Sequence, residues 1–220
     1  LPFLQPIAQC VTISDSTTNP QRPPRHQLCL SQENNMIALI DCGSAKTPQI
    51  AVQLEEYIDV QVFGLMDFTI EHLAQFEGVV ISGAPILLTD IDPSPYLQHL
   101  SWIKTYDKPL LGICFGHQII GLLHGACVSK MREDRGFQEI ELIKDDSLFE
   151  RLPDVFEMQE DHCEHISVPH GFDLLACSDA CINEAMKHKA KPMYGVQFHP
   201  EVSGNFGHVL LENFASLVLG

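Results

Sequence analysis

The chain is poor in several things, and each shortage narrows its function. No apolar run approaches the ~20 residues that a membrane-spanning helix needs, so no membrane partner is expected. Lys and Arg number 13 against 29 Asp and Glu, a formal charge of −16. That balance argues against a nucleic-acid partner gripped through its phosphates. It suits an acidic globular protein or one that docks on a basic surface. The eight cysteines show no Cys-x-x-Cys pairing, the spacing that would point to a zinc ribbon or a redox pair. Cys177 and Cys181 could be grouped with His162 or His165, but the spacing is irregular and lacks a second ligand pair. No metal site is expected. A Gly-x-x-x-x-Gly-Lys-Ser/Thr phosphate loop is missing as well.

What is present suits one domain with a sizeable core, with 45% hydrophobic residues over 220 positions. Residues 1–35 stand apart. They hold five of the 14 prolines before Arg25 and no useful helical or strand period. The patch Ile7 to Ile13 is too short and interrupted for a signal segment. This stretch reads as an added extension or a loosely held arm, and 36–220 as the functional domain. The unpaired cysteines and the absence of a recognisable leader favour a reducing, cytoplasmic setting.

From Met36 strand and helix signals alternate. Strands are predicted at Ile37–Asp41, Val60–Phe63, Val79–Ser82 and Leu110–Cys114. Helices are predicted at Gln49–Glu56, Thr69–Gln75, Tyr96–Tyr106 and His117–His124, the last ended by Gly125. The second half is richer in strands (Phe137–Ile143, Val155–Gln159, Leu174–Ser178, Tyr194–Phe198) and closes on a helix at Val209–Val218. Ile86–Pro95 reads as a solvated turn, with a lid or partner surface as the rarer alternative. The fold class is α/β, with a mostly parallel central sheet flanked by helices. In such sheets sites form at the carboxyl ends of the strands.

Leu110-Leu111-Gly112-Ile113-Cys114-Phe115-Gly116-His117-Gln118 takes a buried strand through Gly-x-Cys-x-Gly into a helix. This is the layout of a nucleophile elbow, with the glycines allowing a sharp turn. The helix N-terminus favours thiolate over thiol. About eighty residues on, Tyr194-Gly195-Val196-Gln197-Phe198-His199-Pro200-Glu201 reads as a short strand. If the chain stays extended through Pro200, His199 and Glu201 face the same side. An imidazole oriented by a carboxylate is what a thiol nucleophile needs. Taken singly, Cys114 and His199 are more simply packed residues. Together, in this order and spacing, they read as nucleophile and base. His117 beside the elbow reads as a packing residue.

With these motifs the chain, from about Met36 to Gly220, resembles the class I (triad) glutamine amidotransferases. Met36-Ile37-Ala38-Leu39-Ile40-Asp41-Cys42-Gly43 matches their first strand, and Val79-Val80-Ile81-Ser82-Gly83-Ala84-Pro85 their oxyanion strand. The resemblance implies a flavodoxin-like fold with a nucleophile elbow. It implies Cys114 as nucleophile, His199 as general base and acid, and Glu201 as the orienting carboxylate. Backbone N–H groups near Gly83 and of Phe115 would form the oxyanion hole. Gln118 would hold the amino-acid end of L-glutamine, and the Asp161-His162 segment would lie beside it.

Within the family, three stretches resemble the branch of separate glutaminase subunits of GMP synthetases. They are Cys181-Ile182-Asn183-Glu184-Ala185-Met186-Lys187-His188-Lys189, Pro169 to Asp179, and Leu211-Glu212-Asn213-Phe214. That likeness implies a partner, an ATP-dependent synthetase subunit. It places ATP and magnesium there and leaves no cofactor in this chain. Rival readings are a glutaminase subunit serving another acceptor, a free-standing hydrolase of γ-glutamyl compounds and a non-catalytic binding subunit.

Three departures bear on the site. Ala84 replaces the second glycine of Ser-Gly-Gly-Pro and would be strained if that position needs positive φ. In Glu160-Asp161-His162-Cys163-Glu164, expected as a loop by the substrate, Asp161 stands where the branch has Ser. Gly204-Asn205-Phe206-Gly207-His208 replaces a more polar run.

Overall fold

Residues 35–220 are described by a computed structural model. The extension expected at 1–35 lies, Asn35 apart, outside the described residues.

The first half folds as its apolar runs require. Strands β1 (Met36–Asp41), β2 (Asp59–Gly64), β3 (Gly78–Ile81) and β4 (Leu110–Ile113) are parallel, and β9 (Met193–Val196) joins them beside β4. Their order is β2-β1-β3-β4-β9, the doubly wound flavodoxin-like arrangement. Side chains alternate between two cores. Ile37, Leu39, Val80, Leu111, Tyr194 and Val196 enter one, while Ala38, Ile40, Val79, Ile81, Leu110 and Met193 enter the other. A strand buried on both faces must be apolar at every position, which explains continuous runs in place of alternation. Helices α1 (Thr47–Leu54) and α4 (Gly204–Leu219) cover the first face. On the second lie the short α2 (Ser94–His99) and α3 (Phe115–Leu123), the latter buried along nearly its whole length.

Beyond β9 the sheet turns antiparallel, through β8 (Ala185–His188), β7 (Phe172–Cys177), β5 (Val128–Leu142) and β6 (Val155–Ile166), making nine strands among the described residues. The hairpin of β5 and β6 is longer than the predicted Phe137–Ile143 and Val155–Gln159. Its outer half alternates exposed and inward polar residues, which hydropathy reads as loop. Glu160 to Glu164 are therefore strand, not loop. The helix expected at Tyr96–Tyr106 is split into α2 and a 3-10 turn at Ser101–Thr105. The closing helix starts five residues earlier than predicted, at Gly204. Among the described residues no helix is long and apolar enough to cross a membrane, and all six described cysteines are free.

Candidate active site

Cys114 lies between β4 and α3 with φ 51° and ψ −102°. A non-glycine residue there is strained, by about 1–3 kcal/mol. The sequence suggests that the flanking glycines make the turn, but the strain falls on the cysteine itself. The glycines provide room. A Cβ on Gly116 would lie 2.4 Å from the Ile81 carbonyl oxygen, and one on Gly112 would lie 2.5 Å from the Gly116 carbonyl carbon. The neighbouring strand and the start of α3 thus close tightly around the elbow. The Cys114 N–H donates to Val196 O at 2.8 Å, fixing the elbow to β9. Phe115 is the first residue of α3, where backbone N–H groups have no intrahelical acceptor.

The chain does not stay extended through Pro200. It turns into a 3-10 helix at Pro200–Val202, because proline sits readily in the first turn of a helix. His199 and Glu201 still meet, with Nδ1 and Oε1 2.8 Å apart. Backbone bonds hold the pair. The His199 N–H donates to Gln159 O at 2.9 Å, the Ser203 hydroxyl donates to His199 O at 2.6 Å, and Gln53 Nε2 donates to Glu201 O at 2.8 Å. Burial works against a charge on His199. Hydrogen bonds with Cys114 and Glu201 outweigh it and push the imidazole up to about 10.

Gly83 closes the arrangement. A Cβ there would sit 3.1 Å from His199 Cε1, 3.6 Å from Cys114 Cβ and 3.8 Å from Ser44 Oγ, so its bare backbone lies against both side chains. The buried Ser82 hydroxyl donates to Gly83 O and accepts from Cys42 N–H, each at 2.9 Å. These bonds fix the peptide that follows Gly83. Ala84 is absent from the described non-glycine residues with positive φ, which are Cys114 and Arg151. The strain considered for it does not arise.

These residues open on a cavity of about 420 Å³, whose lining includes Cys114, Phe115, Gln118, Asp161, His162 and His199. The Gln118 amide nitrogen donates to Gln197 Oε1 at 3.1 Å and to Glu164 O at 3.4 Å. Asp161 is paired with Lys46 at 2.7 Å and Arg135 at 3.1 Å. The Lys46 hydrogen bond, with help from Arg135, holds its carboxyl below the usual range. His162 is buried and donates from Nδ1 to Glu164 O at 2.8 Å. Burial drives His117, behind the elbow, down to about 3, so it carries no charge.

Lys46 and Arg135 escape the sequence reading, since neither lies in a motif and they reach Asp161 from separate elements. A period-two pattern was available for Glu160, His162 and Glu164, all buried on β6. Ile86–Pro95 is more than a solvated turn. The Glu164 carboxylate accepts from the backbone N–H groups of Leu88 and Thr89 at 2.8 Å each, and from the Thr89 hydroxyl. Ile86 and Leu87 form part of the cavity wall.

A flavodoxin-order sheet with a cysteine elbow on one strand and a His–Glu turn after its neighbour has the form of a glutamine amidotransferase. The family model "Glutamine amidotransferase class-I" matches residues 38–217, and the chain belongs to that family of enzymes. It is 35% identical over 189 residues to a GMP synthase (glutamine-hydrolyzing) subunit from Methanocaldococcus jannaschii, covering 83% of this chain and 97% of that one. It is 38% identical over 152 residues to the corresponding subunit from Archaeoglobus fulgidus, covering 67% and 79%. Among solved structures it resembles a candidate GMP synthase subunit from Thermoplasma acidophilum, with TM-score 0.78 and 28% identity over 84% of this chain and 94% of that one. A glutamine amidotransferase from Thermotoga maritima shares the fold, with TM-score 0.66 and 20% identity over 79% of each chain.

Proposed function

We propose that this glutamine amidotransferase hydrolyses L-glutamine to glutamate and ammonia through Cys114, His199 and Glu201, and supplies the ammonia to a synthetase that converts XMP to GMP. The observation that carries the chemistry is the His199–Glu201 pair at 2.8 Å beside the strained Cys114. The thiolate adds to the side-chain carbonyl carbon of glutamine, forming a C–S bond and a tetrahedral oxyanion. Backbone N–H groups at the Gly83 segment and of Phe115 stabilise that oxyanion. The imidazolium of His199 gives its proton to the departing nitrogen, the C–N bond breaks, and ammonia leaves a glutamyl thioester. Water then adds, its proton passing to His199, and collapse releases glutamate and regenerates the thiolate. Glu201 holds the imidazole orientation and stabilises its cation. Gln118 and the backbone at Asp161-His162 hold the amino-acid end of the substrate.

The acceptor reading rests on the similarity to GMP synthase subunits. We assign ATP and magnesium to an ATP-dependent synthetase subunit, because this sequence has no phosphate loop of the Walker kind. Ammonia release from L-glutamine is to be measured with and without that partner, beside Cys114→Ala. Release that depends on Cys114 and rises with the partner and XMP is expected. Release unaffected by Cys114→Ala overturns the chemistry. Cys114-dependent release indifferent to partner and XMP overturns the acceptor alone.

A further inference from the structure

Beside the cavity, and reaching His162 in its lining, lies a buried set of carboxyl side chains to which the proposed glutaminase chemistry gives no role. Asp134 on β5 faces His162 across the ladder of β5 and β6. Glu160 is two residues from His162 on the same face of β6, and Glu184 immediately precedes β8. Ligand atoms of Asp134, His162 and Glu184 all lie within 4.8 Å of one another. Glu160 Oε2 is 3.1 Å from His162 Nε2, without hydrogen-bond alignment. Glu160 and Glu184 are 0% exposed, Asp134 6% and His162 7%.

The set is unusual in being unsatisfied. Among the described residues, Asp134 Oδ2, both Glu160 oxygens, His162 Nε2 and Glu184 Oε2 lack an aligned donor, and Glu160 and Glu184 lie close enough to share a hydrogen bond when one of them is protonated. The other Glu184 oxygen accepts from the Ser178 hydroxyl at 2.7 Å. Among the described residues, no Lys or Arg forms an ion pair with any of the three carboxylates. Carboxyl groups crowded in the interior with His162 as their neighbouring basic group are costly to ionise, and burial raises both Glu160 and Glu184 above the usual carboxylate range; fully buried polar atoms are seldom left unpaired. The backbone also goes out of its way to place Asp134. The ladder loses register between Lys130 and Asp134, which turns Asp134 inward between the exposed Glu133 and Arg135.

We propose that Asp134, Glu160, His162 and Glu184 bind one divalent transition-metal ion of the Zn²⁺ or Mn²⁺ class. One imidazole and several carboxylate oxygens suit such an ion, and the Cys₄ or Cys₂His₂ sets of zinc modules are not required. At metal–ligand distances of about 2.0–2.2 Å, tetrahedral ligand atoms stand roughly 3.5 Å apart, so small rotations of the carboxylates complete the site. The ion would tie the β5–β6 hairpin to the segment leading into β8. It would thereby steady the strand that presents Asp161 and His162 to the cavity. Its role is structural, and the glutaminase chemistry neither requires it nor tests it. The irregular Cys177 and Cys181 set weighed from the sequence is not the one assembled here.

The test is metal binding by the intact chain. Protein stripped with EDTA is titrated with Zn²⁺ and separately with Mn²⁺, beside the double variant Asp134→Asn, Glu184→Gln. One ion per chain is expected to survive gel filtration and to raise Tm by about 5 °C. The variant should bind at least about tenfold more weakly. Its metal-free Tm should not fall below that of the parent, because like charges have been removed. No retained ion, or equal affinity in the variant, overturns the proposal; the latter would place the ion on other His or Cys side chains. Should the variant fail to fold, Co²⁺ absorption of the parent chain decides. Visible d–d bands without thiolate charge transfer support the site, while a thiolate band or no band overturns it.

Discussion

Nδ1 of His199 and Oε1 of Glu201 are 2.8 Å apart although the backbone between them turns at Pro200 instead of running straight. The carboxylate and Cys114 outweigh burial, so the imidazole is raised to about 10 from an ordinary 6.5. A histidine raised on folding stabilises fully below its unfolded value, and the contribution is lost as pH climbs through the folded value. The stability difference between the parent and His199→Gln should therefore be largest below about pH 6.5 and vanish as the pH passes 10. Urea melts across that range check it, and a gap that widens with pH contradicts the pairing. Glu201→Gln should lower kcat by roughly 10²–10⁴ with little change in KM.

Gly83 sits where a methyl group would press on the His199 ring. The added Cβ of Gly83→Ala meets His199 Cε1 at 3.1 Å, and the ring must give by a few tenths of an ångström. Small displacements of reacting groups carry large rate penalties. The variant should keep its Tm within a few degrees and lose about ten- to a hundredfold in kcat. Unchanged kcat would show that the ring position tolerates the shift.

At position 114 the usual ranking of glycine and alanine should invert. With φ at 51°, alanine retains the strain that glycine does not feel. Under the proposed mechanism both Cys114→Gly and Cys114→Ala should abolish glutaminase activity, but the glycine variant should be the more stable by about 1 kcal/mol. Chemical denaturation of the two variants side by side settles the order.

Lys46 and Arg135 neutralise Asp161 at the cavity rim. Lys46→Met leaves that carboxylate less compensated where, in the proposed function, the amino-acid end of glutamine is held. KM for glutamine should rise about two- to fivefold with kcat nearly constant, and the rise should shrink in high salt. Adding Asp161→Asn should restore KM. A rise that persists in the double variant would assign Lys46 a direct role with substrate.

Most of the parallel half was legible. Val, Ile and Leu runs are compulsory for strands buried on both faces, and the elbow needs small residues at fixed offsets around Cys114. The His-Pro-Glu pairing was legible too, though its route was not: His199 stands outside the 3-10 turn as its N-cap, with φ −107° and ψ 87°, while Glu201 lies within it, a junction that no periodicity signals. The polar face of β6 was hidden, since Glu160, His162 and Glu164 point inward and hydropathy counts them as surface. The rim was hidden for another reason. Lys46 and Asp161 lie 115 residues apart, and only the folded topology makes them neighbours.

Strand β9 lies between β4 and β8 in the sheet although four antiparallel strands precede it in the chain. Along a polypeptide made from its N-terminus, Cys114, the proposed nucleophile, is therefore in place long before His199, its proposed base, exists. Until residues 193–201 emerge, β4 is an open edge, and the antiparallel strands have no parallel neighbour to join. Such a long-range closure is entropically slow. The strand that seals the sheet also delivers His199, so the thiol gains its partner only as the last gap in the architecture is filled.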